Sequence, residues 1–205
     1  MKILVTGASG FIGSFIVEEA LRRGMDTWAA IRKSSSREFL QDERIHFIEL
    51  DLSSKDKLVE QLEDHDFDYI VHAAGVTKCL RIEDFKKVNT EGTKNLVDAI
   101  LQLQMPIKRF VYLSSLSIFG PIAEEKPHRE ITENDFPKPN TAYGKSKLEA
   151  EKYLDSIVIE LMSYPEERRT INYYRLFAKV STLRYLSYDY FRTTIFDCMS
   201  LLSKI

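Results

Sequence analysis

Tyr143 and Lys147 stand four residues apart in the run Tyr143-Gly-Lys-Ser-Lys147. On a helix that spacing puts both side chains on one face. An ammonium beside a phenol favours the phenolate, so the tyrosine pKa is expected to fall. A tyrosine tuned this way can exchange a proton with a substrate hydroxyl or carbonyl near neutral pH. Upstream, the apolar run Phe110-Val-Tyr-Leu-Ser-Ser-Leu-Ser ends in three hydroxyls, Ser114, Ser115 and Ser117. A hydroxyl at the end of a buried strand can hydrogen-bond an oxygen that gains or loses charge. Taken singly, Tyr-x-x-x-Lys also describes many surface helices, and the serines also suit turn caps. Together they describe an acid/base site.

A second chemistry lies at the N-terminus. A short apolar strand, Ile3 to Val5, runs into a turn with glycines at 7, 10 and 13, and an amphipathic helix follows at once. That pattern holds a dinucleotide pyrophosphate on the N-terminus of a helix. Gly7 suits the tight turn, Gly10 leaves the backbone bare to the phosphates, and Gly13 lets the helix pack close to the strand. The second strand-like run ends Trp28-Ala-Ala-Ile-Arg-Lys-Ser, with Ile31 where an acidic residue would take the ribose hydroxyls of NAD. Arg32 and Lys33, followed by Ser34 to Ser36, suit a phosphate. NADP is therefore the expected cofactor and NAD the alternative. Solvated surface charge is the plainer reading of the two cations.

The elements that must position these groups alternate. Strand-like runs occur at Ile3–Thr6, Thr27–Ile31, His46–Leu50, Tyr69–His72, Arg109–Ser114 and Ile171–Phe177. Helical patterns occur at Phe11–Arg23, Lys55–Glu63, Ile82–Leu103 and Ala142–Leu161. Such alternation predicts βαβ units, that is, an α/β fold with a doubly wound parallel sheet. The strands are apolar runs, as a sheet covered on both faces requires. Ligands on such sheets bind beyond the carboxyl ends of the strands, where each motif falls. Between them, Gly120–Asn140 reads as a long loop with Pro121, Pro127, Pro137 and Pro139, either functional or a surface excursion.

The 205 residues predict one domain, or one domain plus a fragment. A net charge of −2, from 29 Lys and Arg against 31 Asp and Glu, argues against a nucleic-acid surface. Cys79 and Cys198 have no metal or redox spacing and the four histidines are scattered, so no metal site is expected. No run is long and apolar enough for a membrane span. The N-terminal apolar run is too short for a secretory leader. A cytoplasmic protein with a small-molecule substrate is the expectation.

Six motifs follow one another: Thr6-Gly-Ala-Ser-Gly-Phe-Ile-Gly13, Asp51-Leu52, His72-Ala-Ala-Gly75, Asn89-Thr-Glu-Gly92-Thr, Leu113-Ser-Ser115 and Tyr143-Gly-Lys-Ser-Lys147. In that order and spacing, over about residues 1 to 160, the chain resembles the extended short-chain dehydrogenase/reductases. Within them it looks like the NAD-dependent epimerase/dehydratase branch, which includes nucleotide-sugar epimerases and dihydroflavonol-reductase-like enzymes. The resemblance implies an NAD(P)-binding Rossmann fold. It implies that Gly7, Gly10, Phe11, Ile12 and Gly13 hold the pyrophosphate and that Asp51 and Leu52 contact the adenine. Ala73, Ala74 and Gly75 would line the cofactor, and Asn89 would brace the sheet near the active site. Tyr143 would be the acid/base, Ser115 the catalytic hydroxyl, and Lys147 the group that lowers the tyrosine pKa and binds the nicotinamide ribose. Ser115 matches better than Ser114, and Ser117 would touch substrate.

The same resemblance implies hydride transfer between nicotinamide and a secondary alcohol or carbonyl, with a nucleotide sugar as one substrate class. The family's Arg-Pro-like pair and Val-Tyr-Gly-Pro loop do not follow Tyr174-Arg-Leu-Phe177. Residues 1–180 are thus expected to form the cofactor domain and 181–205 an atypical helical tail, with the C-terminal substrate domain largely missing. The rival reading is an NAD(P)-binding protein without turnover, a redox sensor or a remnant. A homodimer through Ile82–Leu103 and Ala142–Leu161 is implied by relatives, although Val88, Leu96, Ile100, Leu148, Leu154 and Val158 suit their own sheet equally well.

Overall fold

In a computed structural model of the chain, residues 1–121, 131, 135–162 and 173–177 are described, the stretches 158–162 and 173–177 by their backbone. The tail at 181–205 and most of 121–134 therefore lie outside the described residues.

The apolar runs become strands because both of their faces are covered. They are β1 (Lys2–Thr6), β2 (Asp26–Ile31), β3 (His46–Glu49), β4 (Tyr69–His72), β5 (Arg109–Ser114) and β6 (Tyr173–Phe177). The helices are α1 (Phe11–Arg22), α2 (Lys55–Leu62), a short α3 (Glu83–Phe85), α4 (Gly92–Gln102) and α5 (Ala142–Met162). All strand pairs are parallel, in the order β3-β2-β1-β4-β5-β6. The chain starts at the centre, winds out to β3, then crosses back over β1 to β4 and winds the other way. The point of reversal, between β1 and β4, opens a crevice at the carboxyl ends.

Alternate residues sort to two cores. Ile3, Val5, Tyr69, Val71 and Val111 face the side covered by α1, with Ile16, Val17 and Ala20. Leu4, Ile70, Phe110 and Tyr112 face the other, against Leu58 of α2, Leu96 and Ile100 of α4, and Ala150 and Leu154 of α5. Leu96, Ile100 and Leu154, named above as possible dimer contacts, are thus spent on their own sheet. Val88 and Leu148 are half-buried, and the Val158 side chain lies outside the described residues.

One element departs from the periodic pattern. The helix expected over Ile82–Leu103 contains a π-helical segment, Lys86–Glu91, between α3 and α4. Such insertions occur mostly at functional sites, because they re-aim side chains. Asn89 and Thr90 lie in it, both buried.

Candidate active site

The glycine turn is built by sterics. Gly7 has φ +68°, and a Cβ there would lie 2.6 Å from the Ala74 nitrogen. A Cβ on Gly13 would run into the Gly7 carbonyl. β1, the start of α1 and the end of β4 are therefore in backbone contact. Gly10 is the N-cap of α1 and supplies no side chain to cap the first turn, and a helix N-terminus of this kind suits an anion. Phe11 is exposed and Ile12 half-buried at the start of α1. The Phe11 ring packs edge-on to Phe15 at 5.3 Å, and Ile12 packs on the core.

A cleft of about 430 Å³ opens at this turn. Gly7, Gly10, Ala73, Ala74, Gly75, Asp51 and Leu52 line it, as the motifs imply, and so does Arg32. Ser9, Ser35, Val76 and Lys87 also line it, and motif reading did not single them out. Arg32 and Ser35 close a turn in both directions: Ser35 N–H donates to the Arg32 carbonyl (2.9 Å), and Arg32 N–H donates to Ser35 Oγ (3.0 Å). Lys33 is exposed on that turn. Asp51 accepts from Lys57 Nζ (2.9 Å) and from Ser53, which hold its carboxyl down to about 2. A helix N-terminus without a side-chain cap, a glycine backbone that no Cβ could share, and a cleft at the sheet's reversal fit a dinucleotide.

Asn89 braces the next layer. Its Oδ1 accepts from Val76 N–H (2.8 Å), and its Nδ2 donates to the Val76 carbonyl (3.0 Å) and to Ser146 Oγ (3.0 Å). Ser146 in turn donates to the Tyr143 carbonyl, and Thr90 Oγ1 donates to the Ser146 carbonyl. Ser146 was missed because its role depends on the π segment facing it.

Behind this layer His72 is fully buried, and its proton order follows from its neighbours. Thr93 Oγ1 donates to the Asn89 carbonyl (2.7 Å), so its remaining contact, His72 Nε2 at 3.0 Å, must be a donor. His72 Nδ1 then accepts from Thr6 Oγ1 (2.6 Å), which itself accepts from Ala74 N–H (3.3 Å). Burial, with Lys147 nearby, lowers the ring's pKa to about 3.

Ser115 and Tyr143 meet: a side-chain hydrogen bond between them pulls the tyrosine pKa down. Burial pushes it up more strongly, and the net direction is upward. That corrects the expectation that Lys147 depresses it. The Lys147 side chain is 4% exposed, and its Nζ sits 4.1 Å from the centroid of the Tyr112 ring. Burial lowers its own pKa to about 7, with Glu151 opposing the fall. Ser114 takes another course: its hydroxyl donates to the buried Glu151 carboxylate. Ser114 thus spends its proton on Glu151, whereas Ser115 bonds Tyr143. Among the described residues no cluster could hold a metal, and no helix is long and apolar enough to cross a membrane.

The fold and the cleft define a dinucleotide-binding α/β protein with a Ser-Tyr-Lys constellation. The chain belongs to the NAD dependent epimerase/dehydratase family, whose model matches residues 3–160. It is 32% identical to a UDP-glucose 4-epimerase of Klebsiella pneumoniae over 134 residues, 58% of this chain and 93% of that one. It is 33% identical to a low-salt glycan biosynthesis protein of Haloferax volcanii over 162 residues, 74% of this chain and 50% of that one. Among solved structures it resembles the Thermus thermophilus UDP-glucose 4-epimerase in complex with NAD, at TM-score 0.70 and 26% identity, over 85% of this chain and 54% of that one. The chain spans about half the length of the Haloferax and Thermus proteins.

Proposed function

We propose that this chain is the cofactor-binding and acid/base part of an NAD(P)-dependent epimerase, dehydratase or reductase acting on a secondary alcohol or carbonyl of a nucleotide sugar. The hydrogen-bonded Ser115–Tyr143 pair carries the reading. A bound nicotinamide dinucleotide supplies the hydride acceptor and donor. Gly7, Gly10, the first turn of α1, and Ala73 to Gly75 would bind its phosphates and backbone, while Asp51 and Leu52 would meet the adenine. Tyr143 takes or gives the substrate proton at its hydroxyl, and Ser115 fixes the oxygen against that hydroxyl. The upward push of burial keeps Tyr143 protonated at rest, which suits a proton donor to a carbonyl. Family membership and the names of the relatives support the nucleotide-sugar class. Residues 1–180 form the cofactor domain in this reading, and pairing of two copies through the α3–α4 and α5 region stays open to a sedimentation measurement.

The finer proposal is a preference for NADP. Arg32 and Ser35 in the cleft wall support it, as does the absence of a carboxylate at Ile31. The two dissociation constants decide it: tighter NADH than NADPH binding overturns the preference. The experiment for the main reading is Tyr143→Phe, assayed with UDP-glucose and related sugars and, separately, for cofactor binding. Turnover should fall by at least about 100-fold, the weight of a positioned acid/base, with cofactor affinity nearly unchanged. Undiminished turnover removes Tyr143 from the chemistry.

A further inference from the structure

Lys147 and Glu151 lie one helical turn apart on the buried face of α5, both almost wholly out of solvent, at 4% and 1% exposure. They face alternate residues of β5. The ammonium sits over Tyr112, and the carboxylate accepts from Ser114 Oγ. A buried ammonium is costly unless an opposite charge is near, and a buried carboxylate needs donors. Ser114 supplies a donor that fixes Glu151 at the end of β5.

We propose that Glu151 is a positioning residue that keeps Lys147 cationic from one turn along α5, without a direct ion pair, with Ser114 as the anchor of the carboxylate. It rests on reading Lys147 as the cation of the site. The other groups around Lys147 leave this task to Glu151. From β4, His72 is neutral, and its ring stacks on Tyr112 at 5.8 Å. From the same helix, the Tyr143 phenol is held protonated by burial. From the π segment, Lys86 pairs with Glu149 on the outer face of α5 at 3.8 Å, Lys87 lines the cleft, and Glu91 pairs with Lys94. From α3, Asp84 pairs with Arg81, and Glu83 lies on that short exposed helix. From α4, Asp98 accepts from Tyr153. The 3-10 turn after β5, Leu116–Ile118, is uncharged. Burial draws Lys147 toward neutrality near pH 7, and Glu151 opposes that draw.

The test is a direct titration of Lys147 by carbon-13 NMR on lysine-labelled protein, assigned by its loss in Lys147→Met. Glu151→Gln keeps the shape and an oxygen for Ser114 but removes the charge. Its Lys147 midpoint should fall by about one pH unit, a tenfold loss of proton affinity. An unchanged midpoint in a folded Glu151→Gln protein overturns the proposal. If that variant does not fold, Glu151→Gln is made in the Lys147→Met background. A double variant that folds again supports the coupling, because the ammonium left uncompensated has gone with its partner, and a double variant that stays unfolded while Lys147→Met alone folds overturns it. Neither readout needs turnover, so loss of the enzymatic reading and loss of this one are told apart.

Discussion

At the scale of single residues, the site is governed by what each buried group is allowed to ionise. His72 is the plainest instance. Its ring is locked by Thr6 and Thr93 in the Nε2–H form, and burial lowers its pKa from 6.5 to about 3. Between those two values the unfolded chain binds a proton and the folded chain does not. Stability therefore falls on acidification through that window, with a slope of up to one proton, and the group contributes nothing to the slope above pH 6.5. Asp42 and Asp51, both held down to about 2, lose their contributions only below the ordinary carboxylate range. Urea melts from pH 7 to pH 4 should show this slope. In His72→Gln the protein should be less stable at neutral pH, yet the slope should be shallower by about one proton. An unaltered slope would mean that the ring titrates in the folded state as it does in water.

At the scale of elements, most boundaries were legible as apolar runs and amphipathic stripes. Strands β1 to β5 start and stop within a residue or so of where the sequence pattern puts them, because burial on both faces leaves no alternative to continuous apolar runs. The π segment was not legible. Between Val88 and Leu96 no apolar residue marks a face, so the pattern carries no sign of a changed pitch, and the extra residue is accommodated by tertiary bonds from Asn89 and Thr90 to the Val76 loop and α5. The candidate site divides the same way. Tyr143 and Ser115 were readable from spacing and do meet. The upward pull on Tyr143 and the company of Lys147 were not readable, since both depend on how deeply α5 is seated on β5. Asn89→Ala tests the segment's role. It strips the Val76 N–H and carbonyl and Ser146 Oγ of one partner each. The expected loss is about 2 kcal/mol, the order found for a few deprived, partly buried polar groups. The Val76 amide should also exchange with solvent much faster. Stability and exchange both at wild-type levels would show that the π segment holds its shape without this brace.

At the scale of the whole molecule, the cleft draws its walls from both halves of the sheet. Gly7 and Gly10 follow β1, Arg32 and Ser35 follow β2, Asp51 to Ser53 follow β3, and Ala73 to Val76 follow β4. A ligand seated there ties together four loops, of which those after β1 and β4 already meet at Gly7 and Ala74. Binding to the folded state alone raises stability by about 2.7 kcal/mol at one hundred times the dissociation constant. For a chain of this size that is a rise of about 5–10 °C in melting temperature. The cofactor that reaches Arg32 should give the larger rise at equal concentration, because an added phosphate gains a charge-assisted bond to the guanidinium. NADPH should therefore outdo NADH in the wild type. Arg32→Ala should erase most of the difference while leaving the NADH rise in place, since the Gly7 turn, the α1 N-terminus and Asp51 are untouched. Equal rises with the two cofactors in the wild type would place Arg32 among ordinary solvated charges. A preference for NADPH that survives Arg32→Ala would move the phosphate contact to Lys33 or Ser35.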